Sequence, residues 1–110
     1  MSTRLPGAKY SRIFDRGRSI KGRLLVAWYY SAADADREAG VVVSKKSFRH
    51  AVDRNRAKRL MREAFRLLVK DGAAPAGTSW VFIGRAAMRG RMCADVKEEM
   101  RGLMRKACNG

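Results

Sequence analysis

The segment VDRNRAKRLMREAFR, residues 52–66, carries the strongest structural signal in this chain. Apolar side chains recur every three to four positions, which predicts an amphipathic helix with one face packed on a core. This apolar set consists of Ala57, Leu60, Met61, Ala64, Phe65 and Leu68. The opposite side of the helix carries Asn55, Arg59, Arg62 and Arg66. The segment therefore predicts a helix that offers one face to a core and the other to a polyanion.

The charge of this segment is strongly unbalanced, because only Asp53 and Glu63 oppose six cations. The cations are Arg54, Arg56, Lys58, Arg59, Arg62 and Arg66. Like charges one helical turn apart repel, so an anionic partner would stabilise the helix. The alternative interpretation is a solvated basic face with a few intrahelical ion pairs, and this segment alone does not decide between the two.

The whole chain is also basic. Its 25 Lys and Arg against 10 Asp and Glu give a formal net charge of +15 over 110 residues, which indicates a nucleic acid as partner. An anionic membrane surface is the competing polyanion, but the longest apolar run, residues 24–30, is far shorter than the roughly 20 residues of a spanning helix. No N-terminal apolar signal segment is evident. We therefore expect a cytoplasmic protein with no membrane partner.

Periodicity in the rest of the chain predicts a single domain, residues 1–110, built as an α/β sandwich. In such a fold, helices pack on one small mixed sheet. The expected strands are residues 18–30 (bent at Gly22), 40–44 and 79–84, and the expected flanking helices are residues 8–16 and 95–107. Alternation in the first of these strands places Leu24, Val26, Trp28 and Tyr30 on one face. The nearly continuous apolar run at 79–84 predicts an interior strand. Asp53 and Asp95 are the expected N-caps of the central and last helices.

The first helix has an aromatic face. Tyr10, Ile13 and Phe14 share one side at the i, i+3, i+4 spacing. Packing against the core is the simpler interpretation of these side chains. The alternative is a stacking platform for unpaired bases, for which Lys9 and Arg12 would provide the positive charge.

No catalytic constellation is evident in the sequence. His50 is the only histidine, and Cys93 and Cys108 form no CxxC pair, so metal-ligand spacing is missing. The carboxylates are scattered along the chain, which argues against a paired acid and base or a two-metal site. We therefore assign no catalytic and no metal-binding residue, and we interpret both cysteines as reduced thiols.

One pair of motifs resembles a known family. VSKK at residues 43–46, followed by RNRAKRLMREAFR at residues 54–66, is similar to the signature of the bacterial ribonuclease P protein subunit. The aromatic first helix, the RLLVAWYY strand, the VFIGR strand and the closing amphipathic helix also occur in that family's order. In that family the protein is the cofactor of a catalytic RNA that removes the 5′ leader from precursor tRNA, using Mg²⁺ held mainly by the RNA.

The resemblance implies a fold and two binding surfaces. The fold is α+β, with about four strands and three helices, similar to the second domain of a small-subunit ribosomal protein. Its βαβ crossover is left-handed, against the usual right-handed rule. The residues that would face the catalytic RNA are Arg54, Asn55, Arg56, Lys58, Arg59 and Arg62, with Lys45 and Lys46 extending the surface and Arg66 on the same helix face. A cleft lined by Tyr10, Phe14 and Trp28 would receive the leader of precursor tRNA, which favours the platform interpretation of these rings.

A basic connection with Arg85, Arg89 and Arg91 leads to the last helix, and we expect no obligate protein partner. Two rival functions remain. A ribosomal protein would share the charge and the fold but would be expected to carry long basic tails, whereas the ends of this chain are short. A duplex-DNA-binding module would need polar side chains that read base edges, whereas six cations with one Asn favour backbone contact.

Overall fold

The computed structural model describes residue 5 and residues 7–31 and 37–109. Over these ranges the chain forms three α-helices and four strands, with a 3-10 turn at Ala86–Met88. The helices are α1 (Ala8–Arg16), α2 (Ala51–Lys70) and α3 (Cys93–Asn109). The strands are β1 (Arg18–Lys21), β2 (Leu25–Ser31), β3 (Glu38–Val42) and β4 (Thr78–Gly84). The predicted α+β class is confirmed.

The four strands form one mixed sheet in the order β1-β2-β4-β3. β2 runs antiparallel to β1 and β4, and β3 runs parallel to β4. The predicted bend at Gly22 turns β1 into β2, and the Gly22 N–H donates to the Leu25 carbonyl at 2.8 Å. β4 is interior, as its continuous apolar run predicts. β3 and β4 are joined through α2, and the left-handed sense of that crossover stays a prediction.

Each face of the sheet has its own apolar core. The larger core lies between the sheet and the pair α2 and α3, and it includes Phe65, Phe82 and Met100. The smaller one lies between the sheet and α1, around Ile13 and Val81. The chain therefore forms three layers, with α1 on one side of the sheet and α2 and α3 on the other.

Side chains were predicted to alternate between the two faces of the sheet along β2. This alternation holds within the strand but not at the residue before it. Leu25 and Ala27 face the larger core, while Trp28 packs with the smaller one. Leu24 was expected on the same face as Trp28, but it lies in the larger core. The reason is that Leu24 belongs to the bend before β2, where the two-residue period of a strand does not apply.

Both expected helix N-caps were wrong by three residues. α2 begins at Ala51, and its N-cap residue His50 makes no side-chain cap hydrogen bond. α3 begins at Cys93, and the carboxylate of Asp95 accepts a hydrogen bond from the Met92 N–H at 3.1 Å. Each expected cap, Asp53 included, therefore lies in a first helical turn, where a carboxylate stabilises the positive end of the helix dipole.

Candidate nucleic-acid interface

The helix α2 packs its apolar side chains into the core and leaves its basic side chains on the outward face. Ala57, Met61 and Phe65 are between 0 and 3% exposed, whereas Arg59 and Arg62 are exposed, as the sequence predicts. No carboxylate in the described ranges pairs with Arg59 or Arg62. An open depression of about 660 Å³ over the helix is lined by residues including Arg56, Arg59, Leu60, Arg62 and Arg66. This surface concentrates positive charge on a rigid helix, which suits the phosphates of a nucleic acid.

Two of the arginines predicted to face RNA also hold loops in place. Arg54 Nη1 donates to the carbonyls of Phe48 and Arg49 at 2.9 and 3.0 Å. Arg56 Nη2 donates to the carbonyl of Arg91 at 3.0 Å. A guanidinium has five N–H donors, so each side chain keeps donors for a phosphate. The sequence does not reveal these contacts, because the acceptors are backbone carbonyls.

Arg66 differs from the other cations on this face because it is paired. Its Nε donates to a carboxylate oxygen of Glu63 at 3.1 Å. This hydrogen bond lowers the pKa of Glu63 and raises the pKa of Arg66. Both groups are exposed, so the pair adds little to stability. A phosphate at Arg66 would have to compete with a carboxylate, which makes this position the weaker one for an anion.

The VSKK motif forms a turn that presents its lysines. Ser44 organises the turn, since its Oγ accepts from the Ser47 N–H at 3.1 Å and its carbonyl accepts from the Phe48 N–H at 3.0 Å. Phe48 is 1% exposed and anchors the segment in the larger core. Lys45 and Lys46 are exposed in the segment before α2, and their place in an RNA-binding surface stays a prediction.

The three aromatic residues assigned to a cleft lie on the side of the sheet that carries α1, and two of them are in contact. Phe14 packs edge-on against Trp28, with ring centroids 5.3 Å apart. Tyr10, one helical turn earlier in α1, lies against Gly40 so closely that any Cβ at that position would collide with its ring. Tyr10 is therefore packed on a strand, whereas Phe14 remains 39% exposed. A stacking role for these rings stays a prediction.

An apolar row of the sheet lies next to these rings. Val26 pairs with Ile83, and Ile83 pairs with Val42, across three adjacent strands. All three side chains are half-buried. Trp28 lies on the same face, two residues after Val26, so the Phe14–Trp28 pair borders this apolar row. We call the row and the two rings the groove, with the row as its floor, after the predicted leader cleft. Sequence reasoning missed Val42 and Ile83 because their position depends on the register between strands.

The two cations of α1 that the platform interpretation invoked contact side chains of the sheet. Lys9 forms an ion pair with Glu38, a carboxylate that is 8% exposed and also accepts from the Ser79 hydroxyl at 2.9 Å. The Arg12 guanidinium lies over the Tyr30 ring at 5.4 Å, a cation–π arrangement. Both contacts fasten α1 to the sheet, on the face that also carries Trp28 and Val42.

The metal-ligating side chains of the described residues are dispersed. Within residues 5, 7–31 and 37–109, no three His, Cys, Asp or Glu side chains group so as to hold a metal ion. Both cysteines are free, and burial raises the pKa of the Cys93 thiol, which disfavours the nucleophilic thiolate. None of the helices in the described ranges is long and apolar enough to cross a bilayer.

The fold and the two surfaces define a small α/β-sandwich protein with a polybasic helix on one side of its sheet and an aromatic groove on the other. The sequence model of the ribonuclease P family matches residues 5–108. The ribonuclease P protein component of Clostridium kluyveri is 35% identical over 100 residues, which cover 91% of this chain and 88% of that protein. The corresponding protein of Pelotomaculum thermopropionicum is 37% identical over 98 residues, covering 89% and 85%.

Solved structures agree with the sequence comparison. The RNase P protein of Thermotoga maritima superposes with a TM-score of 0.80 at 26% identity, covering 96% of this chain and 97% of that one. That of Staphylococcus aureus gives a TM-score of 0.78 at 25% identity, covering 97% and 96%. The chain belongs to the ribonuclease P protein family. This membership supports a role in tRNA processing within a ribonuclease P holoenzyme, with the ribonuclease P RNA as partner.

Proposed function

We propose that this protein is the cofactor of a ribonuclease P ribozyme in the cytoplasm, and that it binds two RNAs through two separate surfaces. The basic face of α2 binds the catalytic RNA, and the groove beside α1 binds the 5′ leader of precursor tRNA. The observation that carries the proposal is their placement on opposite sides of one sheet, because a charged surface and an aromatic surface placed in this way can be occupied at the same time.

The α2 surface suits a structured RNA backbone. Arg59 and Arg62 are exposed and lack a carboxylate partner in the described ranges, so a phosphate would supply the missing counter-charge. Such contacts position an RNA without reading its sequence. Lys45 and Lys46 add two further exposed cations before the helix.

The groove suits a single strand. Phe14 and Trp28 offer rings for base stacking, which needs bases that are not already paired. Lys21 is exposed and pairs with Val26 across the hairpin, so its side chain lies on the same face of the sheet as the floor and offers a cation there. The leader of precursor tRNA is single-stranded, and the acceptor stem that follows it is not.

The chemistry of leader removal is assigned to the RNA subunit, with Mg²⁺ held mainly by that RNA. The protein contributes affinity and positioning. A reconstituted cleavage assay tests this assignment: protein added to the cognate RNA at limiting Mg²⁺ should stimulate endonucleolytic release of the leader, and protein alone should release none. Cleavage by protein alone would overturn the assignment. Sequencing of the RNA that co-purifies with the protein would separate this function from the ribosomal and DNA-binding alternatives.

The first prediction concerns the α2 face. Replacing Arg59 and Arg62 together with alanine should make the dependence of RNA affinity on monovalent salt shallower by about 2 in the log–log slope, since each lost phosphate contact removes about 1. The measurement is the dissociation constant for the catalytic RNA over a salt series. The double variant Arg105→Ala, Lys106→Ala is the matched control, because it removes two exposed cations near the C-terminal end of α3. If both variants changed the slope equally, this face of α2 would not be the interface.

The second prediction concerns the groove. Phe14→Ala should weaken binding of precursor tRNA by about 1 to 3 kcal/mol when the leader is several nucleotides long, because one stacking ring is lost. Binding of mature tRNA and of the catalytic RNA should hardly change. The measurement is holoenzyme affinity against leader length, with Phe14→Tyr as the variant that keeps a ring and Met92→Ala as an exposed apolar control. If Phe14→Ala weakened the affinity for tRNA equally with and without a leader, Phe14 would serve packing and not leader binding.

A further inference from the structure

The connection between β4 and α3, residues 85–92, carries three arginines on a backbone that is held in place by local contacts. The Met88 N–H donates to the Arg85 carbonyl at 2.9 Å, and the Arg91 N–H donates to the Met88 carbonyl at 3.0 Å. The Met88 side chain is fully buried in the larger core. Gly90 has a φ of 78°, a left-handed conformation that favours glycine. The backbone of this connection is therefore set by turns and by a buried anchor.

The connection is also fastened to α2. The Arg56 guanidinium of α2 donates to the Arg91 carbonyl at 3.0 Å. Arg89 lines a small cavity between the two elements together with Arg56 and Asp53 of α2. Arg89 and Arg91 therefore lie alongside the basic helix, on the α2 and α3 side of the sheet, and the groove beside α1 lies on the other side.

The two arginines carry charge that the described protein does not neutralise. Arg89 and Arg91 are exposed, and no carboxylate in the described ranges pairs with either. The nearest acid along the chain, Asp95, accepts from the Met92 N–H. Arg85 differs, because its Nη1 donates to the Gly22 carbonyl at 2.8 Å. Two exposed, unpaired guanidinium groups on a rigid backbone are suited to phosphate oxygens.

We propose that Arg89 and Arg91 bind phosphates of the catalytic RNA and so continue the α2 interface onto the connection before α3. The inference rests on the proposed function of α2. It assigns the contact to the catalytic RNA rather than to the leader, because the connection and the leader groove lie on opposite sides of the sheet. The Arg56 bond to the Arg91 carbonyl fixes the spacing between the helix arginines and these two, so an RNA backbone would meet them as one surface.

The test compares salt dependence in full-length variants with intact folds. Arg89→Ala combined with Arg91→Ala should lower the log–log slope of catalytic RNA binding by about 2, at about 1 per phosphate contact. Arg89→Lys combined with Arg91→Lys should retain most of the slope, because the charge remains. The control Arg105→Ala, Lys106→Ala removes the same charge and should leave the slope near that of the parent protein. The unfolding midpoint should be unchanged in the alanine variant, since the Arg91 carbonyl is kept.

The inference would be overturned if the alanine variant of Arg89 and Arg91 had the same salt slope as the control. This conclusion requires that the parent protein shows the steep slope and that the Arg59, Arg62 variant lowers it. A loss seen only with leader-bearing precursor tRNA would also overturn it, because the contact would then belong to the substrate. If the parent protein bound the catalytic RNA without any salt dependence, the proposed function of α2 itself would fail. The two failures are therefore distinguishable.

Discussion

Replacing Phe65 with alanine should lower the free energy of unfolding by about 3 to 5 kcal/mol, a large share of the roughly 5–15 kcal/mol that stabilises a domain. Phe65 is 1% exposed and packs against Phe82, with ring centroids 5.8 Å apart. The truncation loses the transfer energy of the ring and leaves a cavity between α2 and the sheet. Because the same helix carries the basic face, this core contact also holds the proposed RNA interface in place.

Chemical denaturation of Phe65→Ala measures the effect directly. Val52→Ala is the matched control on the same helix, because Val52 is 75% exposed and exposed substitutions usually change stability by less than about 0.5 kcal/mol. A loss below about 1 kcal/mol for Phe65→Ala would mean that α2 does not press this side chain into the core.

The orientation of α2 was predictable because one residue pattern serves both of its faces. The spacing that buries Met61 and Phe65 also leaves Arg59 and Arg62 exposed, so periodicity was sufficient to separate core from surface. The helix ends were not predictable in the same way. α2 starts two residues before Asp53, because apolar spacing locates the buried stripe and does not mark where the first turn begins.

The finer geometry of the two surfaces depends on contacts that leave no trace in local sequence. Arg54 and Arg56 donate to backbone carbonyls, and any residue supplies a carbonyl. Lys9 pairs with Glu38 across 29 positions of the chain. The groove floor joins Val42 to Ile83 through the parallel pairing of β3 and β4. Long-range pairing sets these positions, so a pattern read along the chain could identify the faces but not the partners.

Glu99 carries the second large expected effect, and no sequence pattern indicated it. One of its carboxylate oxygens accepts from the backbone N–H groups of Leu24 and Leu25 at 2.8 and 2.9 Å, and the other accepts from that of Arg23 at 3.0 Å. Leu24 and Leu25 are 4 and 0% exposed, so water would replace this acceptor poorly. α3 thereby holds the β1–β2 bend, whose second strand supplies Val26 to the groove floor.

Glu99→Ala should therefore destabilise the protein by about 3 kcal/mol, since hydrogen bonds to charged groups contribute about 1.5–3 kcal/mol each and two of the three donors are shielded. Glu99→Gln keeps one acceptor oxygen and should lose less. Glu98→Ala is the control, because Glu98 is an exposed neighbour whose only described partner is Arg101, and surface pairs contribute little. Denaturation gives the energies, and hydrogen exchange at the Leu24 and Leu25 amides localises the change. If Glu99→Ala and Glu98→Ala lowered the free energy of unfolding equally, strand pairing alone would hold the bend. The groove floor would then not depend on α3.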